Sequence, residues 1–249
     1  MNVPTTTELR RADERFHTRI SWLDSRHSFS FGGHYDPDEV GHGLLIVSND
    51  DRVAAGGGFS THPHRDMEIV TWVLDGELEH RDSEGNDGVI YPGLAQRMSA
   101  GSGIMHSEMN RSATADVHFV QMWVPPHESG IRPGYEQLDL NAELDAGGLV
   151  PVASGRGHES AISIHQQHAA MWVARLEPGR SVELPAAPFV HLFVARGAVE
   201  LSETDGAPSG ALALGTGDAA RLRDAGHPVV TATEHAEIVV WESDLEVRR

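Results

Sequence analysis

The sequence predicts an all-β chain built from two copies of one module, and three observations carry that expectation. Short apolar-alternating runs separated by Gly, Pro, Asp and Asn dominate the 249 residues, the pattern of a sandwich or barrel. Long helical periodicity is hard to find. A shift of 121 residues lays VLDGELEHRDSEG (Val73–Gly85) over VARGAVELSETDG (Val194–Gly206). Four positions are identical (Val73/Val194, Gly76/Gly197, Glu79/Glu200, Gly85/Gly206), Leu78/Val199 is conservative, and the same shift pairs Gly58 with Gly179 and Trp72 with Phe193. A shared rhythm of strand, Gly turn, strand, Gly turn marks a duplicated unit.

In chain order, the segment around Glu8–His17 is the one helix candidate of the first half. Candidate strands follow at Gly43–Val47, Glu68–Leu74, Glu77–Arg81 and His118–Val124. The Pro/Gly-rich stretch Pro125–Gly134 begins the connection between modules, because Pro and Gly punctuate regular structure. Tyr135–Glu143 reads as a short helix or irregular segment, and the second half supplies strands at Met171–Leu176, Phe189–Ala195, Ala198–Ser202 and Glu237–Glu242. The expected division is residues 1–135 and 136–249.

Bulk properties exclude several function classes. The chain has no cysteine, so disulfides, thiolate catalysis and Cys-ligated metals are ruled out and His and carboxylate remain as the strong metal ligands. A formal charge of −18 argues against direct binding to nucleic-acid phosphates. No apolar run approaches the roughly 18 residues that span a bilayer, and the N-terminal MNVPTTTELRRADERF is too polar for a signal peptide. The expectation is a cytoplasmic protein without a membrane partner, with a monomer as the working oligomeric state.

Chemistry is concentrated in two segments. In GGGFSTHPHRDME (Gly56–Glu68), His62 and His64 are separated by one residue, and a strand points residues i and i+2 to one face. Two such imidazoles, with Cα atoms roughly 6–7 Å apart, can converge on one ion. GSGIMHSEMN (Gly101–Asn110) repeats the device with His106 and Glu108, 42 residues after His64. Three imidazoles and a carboxylate suit Fe, Mn, Ni, Cu(II) or Zn and leave open coordination positions, as a catalytic ion requires. A lone HxH would be read as incidental surface histidines; two pairs beside Gly-rich turns outweigh that reading. The other histidines are given the plainer reading: His80, His118 and His191 as hydrogen-bonded or surface residues, and His27 and His34 as packing partners of Phe29 and Phe31, with pocket lining as the second option for that pair.

GGGFSTHPHRDMEIVTWVLDG resembles the first cupin motif, G(x)5HxH(x)3E followed by a Gly, with one extra residue before Gly76. The second segment resembles the second cupin motif through Gly103, His106 and Asn110, with Gly101 where many cupins have proline. More narrowly, THPHRDMEIVTWVLDGELEHRDS, SAGSGIMHSEMN and WLDSRHSFSFGGHYDP (Trp22–Pro37) look like the pirin family, in its bacterial branch similar to quercetin 2,3-dioxygenases. The resemblance is dense from about Trp22 to Pro125 and architectural beyond about Val150. It implies two cupin modules, each a double-stranded β-helix of jelly-roll type. By position it makes His62, His64, His106 and Glu108 the metal ligands, with Glu68 matching a ligand of many other cupins that pirins replace by Glu108. The second module offers Glu183 and Pro185 opposite His62 and His64, and a match of Gly217 to Gly103 puts Ala220 and Leu222 in place of His106 and Glu108, so no ligand set is expected there.

Function follows from the resemblance in two forms. The first is a metal-dependent dioxygenase that opens a flavonol-like ring with O2, with Glu108 taking the substrate hydroxyl proton and Fe(II) as the first choice among Fe, Ni, Mn, Cu and Zn. The second is a metal-dependent regulator that uses the same four ligands and binds a protein partner without turnover.

Overall fold

The computed structural model describes residues 6–202 and 210–247, so Gly206 of the repeat lies outside the described residues. Regular structure is almost entirely β, as expected of a chain whose apolar residues alternate or come in short runs between glycine turns. Four antiparallel-dominated sheets form two pairs. In the first half, a seven-stranded sheet runs in the order Gly134–Asp139, Leu94–Ser99, Glu68–Asp75, Val117–Val124, Val47–Val53, Leu23–His27, Phe16–Arg19. It faces a four-stranded sheet of Gly58–His64, Ile104–Asn110, Leu78–Asp82 and Asp87–Ile90. The second half repeats the plan: Thr6–Arg10, Ala219–Arg223, Phe189–Arg196, Ala236–Ser243, Ala169–Leu176, Val150–Ser154 and Ile162–Ser163, opposite Ser181–Glu183, Val229–Ala232, Ala198–Ser202 and Leu212–Gly215. The duplication expected from the repeat is therefore present in the order of both sheet pairs. It departs at the edges of the large sheets, where Ile162–Ser163 runs parallel to its neighbour and Phe16–Arg19 antiparallel to its own.

The edge place that Gly134–Asp139 fills in the first large sheet is filled in the second by Thr6–Arg10, from the other end of the chain. This corrects the helix expected around Glu8–His17. Thr6–Arg10 and Phe16–Arg19 are strands and Ala12–Glu14 is one 3-10 turn, because pairing with Ala219–Arg223 overrides the helical propensity of Glu, Leu, Arg and Ala. Tyr135–Glu143 resolves into the strand Gly134–Asp139 and the start of a short helix, Asn141–Asp145. The expected strand Gly43–Val47 is displaced to Val47–Val53; Leu44 and Leu45 are instead buried turn residues between the halves.

The largest core lies between the two seven-stranded sheets, where Trp72, Val120 and Met122 of the first meet Phe193, Val239 and Trp241 of the second. The Trp72 indole N–H donates to Glu237 Oε1 at 2.6 Å across this seam. The interiors of the two modules then differ. The second is filled by aliphatic side chains, among them Val182, Leu192, Leu201, Leu222 and Ile238. In the first, Val73, Leu78, Ile90 and Phe119 fill only part of the interior, and the remainder holds polar side chains and a cavity.

Candidate metal centre

His62 and His64 lie on the strand Gly58–His64, and His106 and Glu108 on the adjacent Ile104–Asn110. The antiparallel register sets His106 directly opposite His62, then shifts so that Glu108 faces Phe59. A bulge of this kind re-aims the side chains that follow it. Alternation turns both pairs inward, and the ring centroids of His62, His64 and His106 stand 4.4–4.9 Å from one another. The close approach of the two strands depends on Gly58, where a Cβ would run into the Glu108 carbonyl oxygen and, at 2.7 Å, into Met109 Cα.

The donor atoms form two overlapping triads. Those of His62, His64 and His106 lie within 4.8 Å of one another, and so do those of His80, His106 and Glu108. Three of the four residues expected from sequence are thus one cluster, Glu108 joins it through His106, and His80 stands beside it unforeseen. Glu68 is elsewhere: its Oε2 accepts the Ser99 hydroxyl at 2.9 Å and the His165 backbone N–H at 3.0 Å.

The cluster suits a cation. Among the described residues, His64 Nε2 and His106 Nε2 are buried with no hydrogen-bond partner, an arrangement that costs about 1–3 kcal/mol per atom unless something satisfies it. Burial, with a smaller contribution from His62, holds His64 down to about 4; burial, then His62, His64 and His80, hold His106 down to about 2. Both rings are therefore neutral, the form that ligates. His62 Nδ1 donates to the Ser60 carbonyl at 2.8 Å, which leaves its Nε2 bare. Burial pushes Glu108 up to about 7 despite opposing bonds from Gln121 and Thr71.

A cavity of about 300 Å³ opens on the cluster. His62, His64 and Glu108 share its wall with Leu23, Phe31, Phe59 and Trp123. Trp123 stands edge-on to both His64 (4.9 Å) and Phe31 (5.5 Å). Another side is polar, with Ser25, His27, Asn49 and Asp51. His27 Nδ1–H donates to Asn49 Oδ1 at 2.8 Å, and its Nε2 accepts the Thr18 hydroxyl at 2.9 Å. Asp51 is buried, its carboxyl pushed up to about 7 by desolvation, with Oδ1 unpartnered. His27 therefore packs against Phe31 and lines the pocket, the two options its sequence context offered.

The structure revises how the second module lacks donors. Ala220 and Leu222 pair with Leu192 and Val190 as Gln96 and Met98 pair with Thr71 and Ile69, so they are equivalents of Gln96 and Met98 rather than of His106 and Glu108. The misplacement has a physical source: Gly217 and Gly93 are both positive-φ turn glycines ahead of corresponding strands. The true counterpart of Ile104–Asn110 is Val229–Ala232, with Val229 opposite Glu183 as His106 is opposite His62. Among the described residues, both donor clusters lie in the first module.

Comparison with known proteins agrees with this architecture. The chain matches the pirin family profile over residues 9–124 and the quercetinase C-terminal cupin domain over residues 151–242. A Mycobacterium tuberculosis protein, provisionally named a quercetin 2,3-dioxygenase, is 56% identical across 95% of each chain. The quercetin 2,3-dioxygenase of Escherichia coli is 42% identical across 83% of this chain and 88% of its own. The crystal structure of the E. coli bacterial pirin YhhW in complex with nickel(II) superposes with a TM-score of 0.86 at 36% identity, over 97% of this chain and all of that one. Two stacked cupin modules, a donor cluster confined to the first, and identity of this extent over nearly the whole length place the chain in the pirin family.

Proposed function

We propose that this protein is a metal-dependent dioxygenase that opens a flavonol-like ring with O2, its single divalent transition metal held by His62, His64, His106 and Glu108. The metal-binding module spans about residues 1–135 and residues 136–249 form a second module that buttresses it, apart from an exchange at the borders: Gly134–Asp139 completes the first large sheet and Thr6–Arg10 the second. One observation carries the reading: the donor cluster and the apolar cavity share a wall, so a planar aromatic in the cavity would lie against the cluster. The cavity is what favours this reading over a regulator that binds a protein partner, which does not require one. When bound, the ion would supply Lewis-acid and one-electron chemistry for the reaction with O2. Fe(II) is the first candidate from the resemblance, and nickel the second, since the E. coli pirin structure holds it.

The chain's own residues perform the remaining work. Glu108 takes the substrate hydroxyl proton, and Gln121 holds the acceptor oxygens in place with bonds of 2.9 and 2.8 Å. Phe31, Phe59 and Trp123 sandwich the aromatic substrate and keep water away, which strengthens each electrostatic contact in the pocket. The polar side at Asn49 and Asp51, whose Oδ1 has no partner among the described residues, can receive hydroxyls on the remote end of the substrate.

The test is anaerobic purification with elemental analysis, then oxygen uptake with quercetin on the same metal-quantified sample. About one metal per chain, with uptake that vanishes in His62→Ala, is the expected result. Stoichiometric metal without uptake across several reconstituted metals would overturn the dioxygenase assignment in favour of another substrate or a metal-dependent regulator.

A further inference from the structure

Beneath the cluster, away from the cavity, lies a second buried chain of polar groups. Asp82 and His80 alternate on the strand Leu78–Asp82, and the register with Ile104–Asn110 sets His106 opposite Asp82 and Glu108 opposite His80. The side chains of His80 and Asp82 are fully buried, and His106 is 1% exposed. His80 Nε2 lies 3.2 Å from Asp82 Oδ2, and His80 Nδ1 lies 3.4 Å from His106 Nδ1. The following turn immobilises the carboxylate: Asp82 accepts the backbone N–H groups of Glu84 (3.0 Å) and Asn86 (2.9 Å), and the Asn86 side-chain amide reaches both its oxygens. Tyr135 packs on the His80 ring at 4.8 Å.

We infer that His80 and Asp82 are positioning residues that fix the tautomer of His106 with its proton on Nδ1, so that Nε2 is presented bare to a metal ion. The inference rests on the metal-site reading above. A carboxylate only accepts hydrogen bonds, so the proton of neutral His80 sits on Nε2. Its Nδ1 is then a bare acceptor, and the contact with His106 Nδ1 closes only when that nitrogen carries a proton. His106 Nε2 is left unprotonated, and it is the buried nitrogen with no partner. At His62 a backbone carbonyl selects the same tautomer; among the described residues His106 reaches no backbone acceptor, and the Asp82–His80 pair replaces one. Such partners of a ligating imidazole set its orientation and basicity, and their loss typically costs 10–100-fold in metal affinity.

The experiment uses the full chain, stripped of metal and labelled with 15N at histidine. Long-range 1H–15N spectra assign the His106 tautomer, and Ni(II) titration gives the affinity. Wild type is expected in the Nδ1–H form. His80→Leu should lose that preference and bind Ni(II) roughly 10–100-fold more weakly. His80→Gln should restore both, since its oxygen can accept from His106 while its amide donates to Asp82. An Nε2–H tautomer in wild type, or wild-type affinity in His80→Leu, would overturn the inference. A loss in both variants as complete as that of His106→Ala would make His80 a ligand, which also overturns it. If His80→Leu fails to fold, the wild-type tautomer and His80→Gln still decide. Should wild type bind no Ni(II) or Fe(II), the metal-site reading fails, while the tautomer measurement still tests the role of His80.

Discussion

Gln121 donates from one amide nitrogen to both carboxylate oxygens of Glu108, at 2.9 and 2.8 Å, while its own oxygen accepts the Trp123 indole N–H at 3.1 Å. Trp123 thus decides which way the Gln121 amide points, and the amide decides where the carboxylate points. Gln121→Met keeps the volume and removes both bonds. Metal affinity and kcat should each fall by about 10–100-fold, read by metal titration and oxygen uptake, with a melting temperature near that of wild type.

Glu108→Gln removes the proton acceptor and keeps the shape. We expect much of the fold to survive and turnover to drop by about 10²–10⁴-fold. The comparison is made on metal-quantified samples. Unchanged turnover with metal still bound would remove Glu108 from the proton-transfer role.

At Gly58, the Glu108 and Met109 backbone leaves no room for a Cβ. Gly58→Ala should therefore push apart the strands that carry the two donor pairs. Loss of metal stoichiometry with retained far-ultraviolet circular dichroism is the expected signature, and full stoichiometry would show that the strands can yield at little cost.

His42 lies at the seam between the modules, where its Nε2–H donates to the Leu222 carbonyl at 3.0 Å. Burial, then Arg223 and Arg221, hold it down to about 4 from an ordinary 6.5. Between those values the unfolded chain binds more protons than the folded one. Stability should consequently fall as pH drops below about 6.5 and level off below about 4, by roughly 2–4 kcal/mol from this group. His191, also buried and held well below its ordinary value, acts in the same direction. Melting temperature against pH measures the slope, and His42→Gln, which keeps a donor, should flatten it.

Much of this protein was legible before any coordinates. Alternating runs and a repeat at a shift of 121 residues announced a duplicated β module, because strand periodicity and glycine turns are local properties. The HPH and HSE pairs announced a donor set because a period of two puts both members on one face. The family was legible too, from motifs that combine those pairs with their glycines. Tertiary structure alone decided the rest. Thr6–Arg10 is a strand because a sheet edge of the second module pairs with it, and no local signal encodes that partner. Ala220 and Leu222 resemble the ligand positions in glycine spacing, but hydrogen-bond register assigns them to a strand of the facing seven-stranded sheet. His80 and Asp82 acquire meaning only when cross-strand register sets them against His106 and Glu108, and Gln121 only when the facing sheet packs it onto Glu108. A ligand pair is written within one strand; the groups that orient it come from its neighbours, and only the folded sheet brings those together.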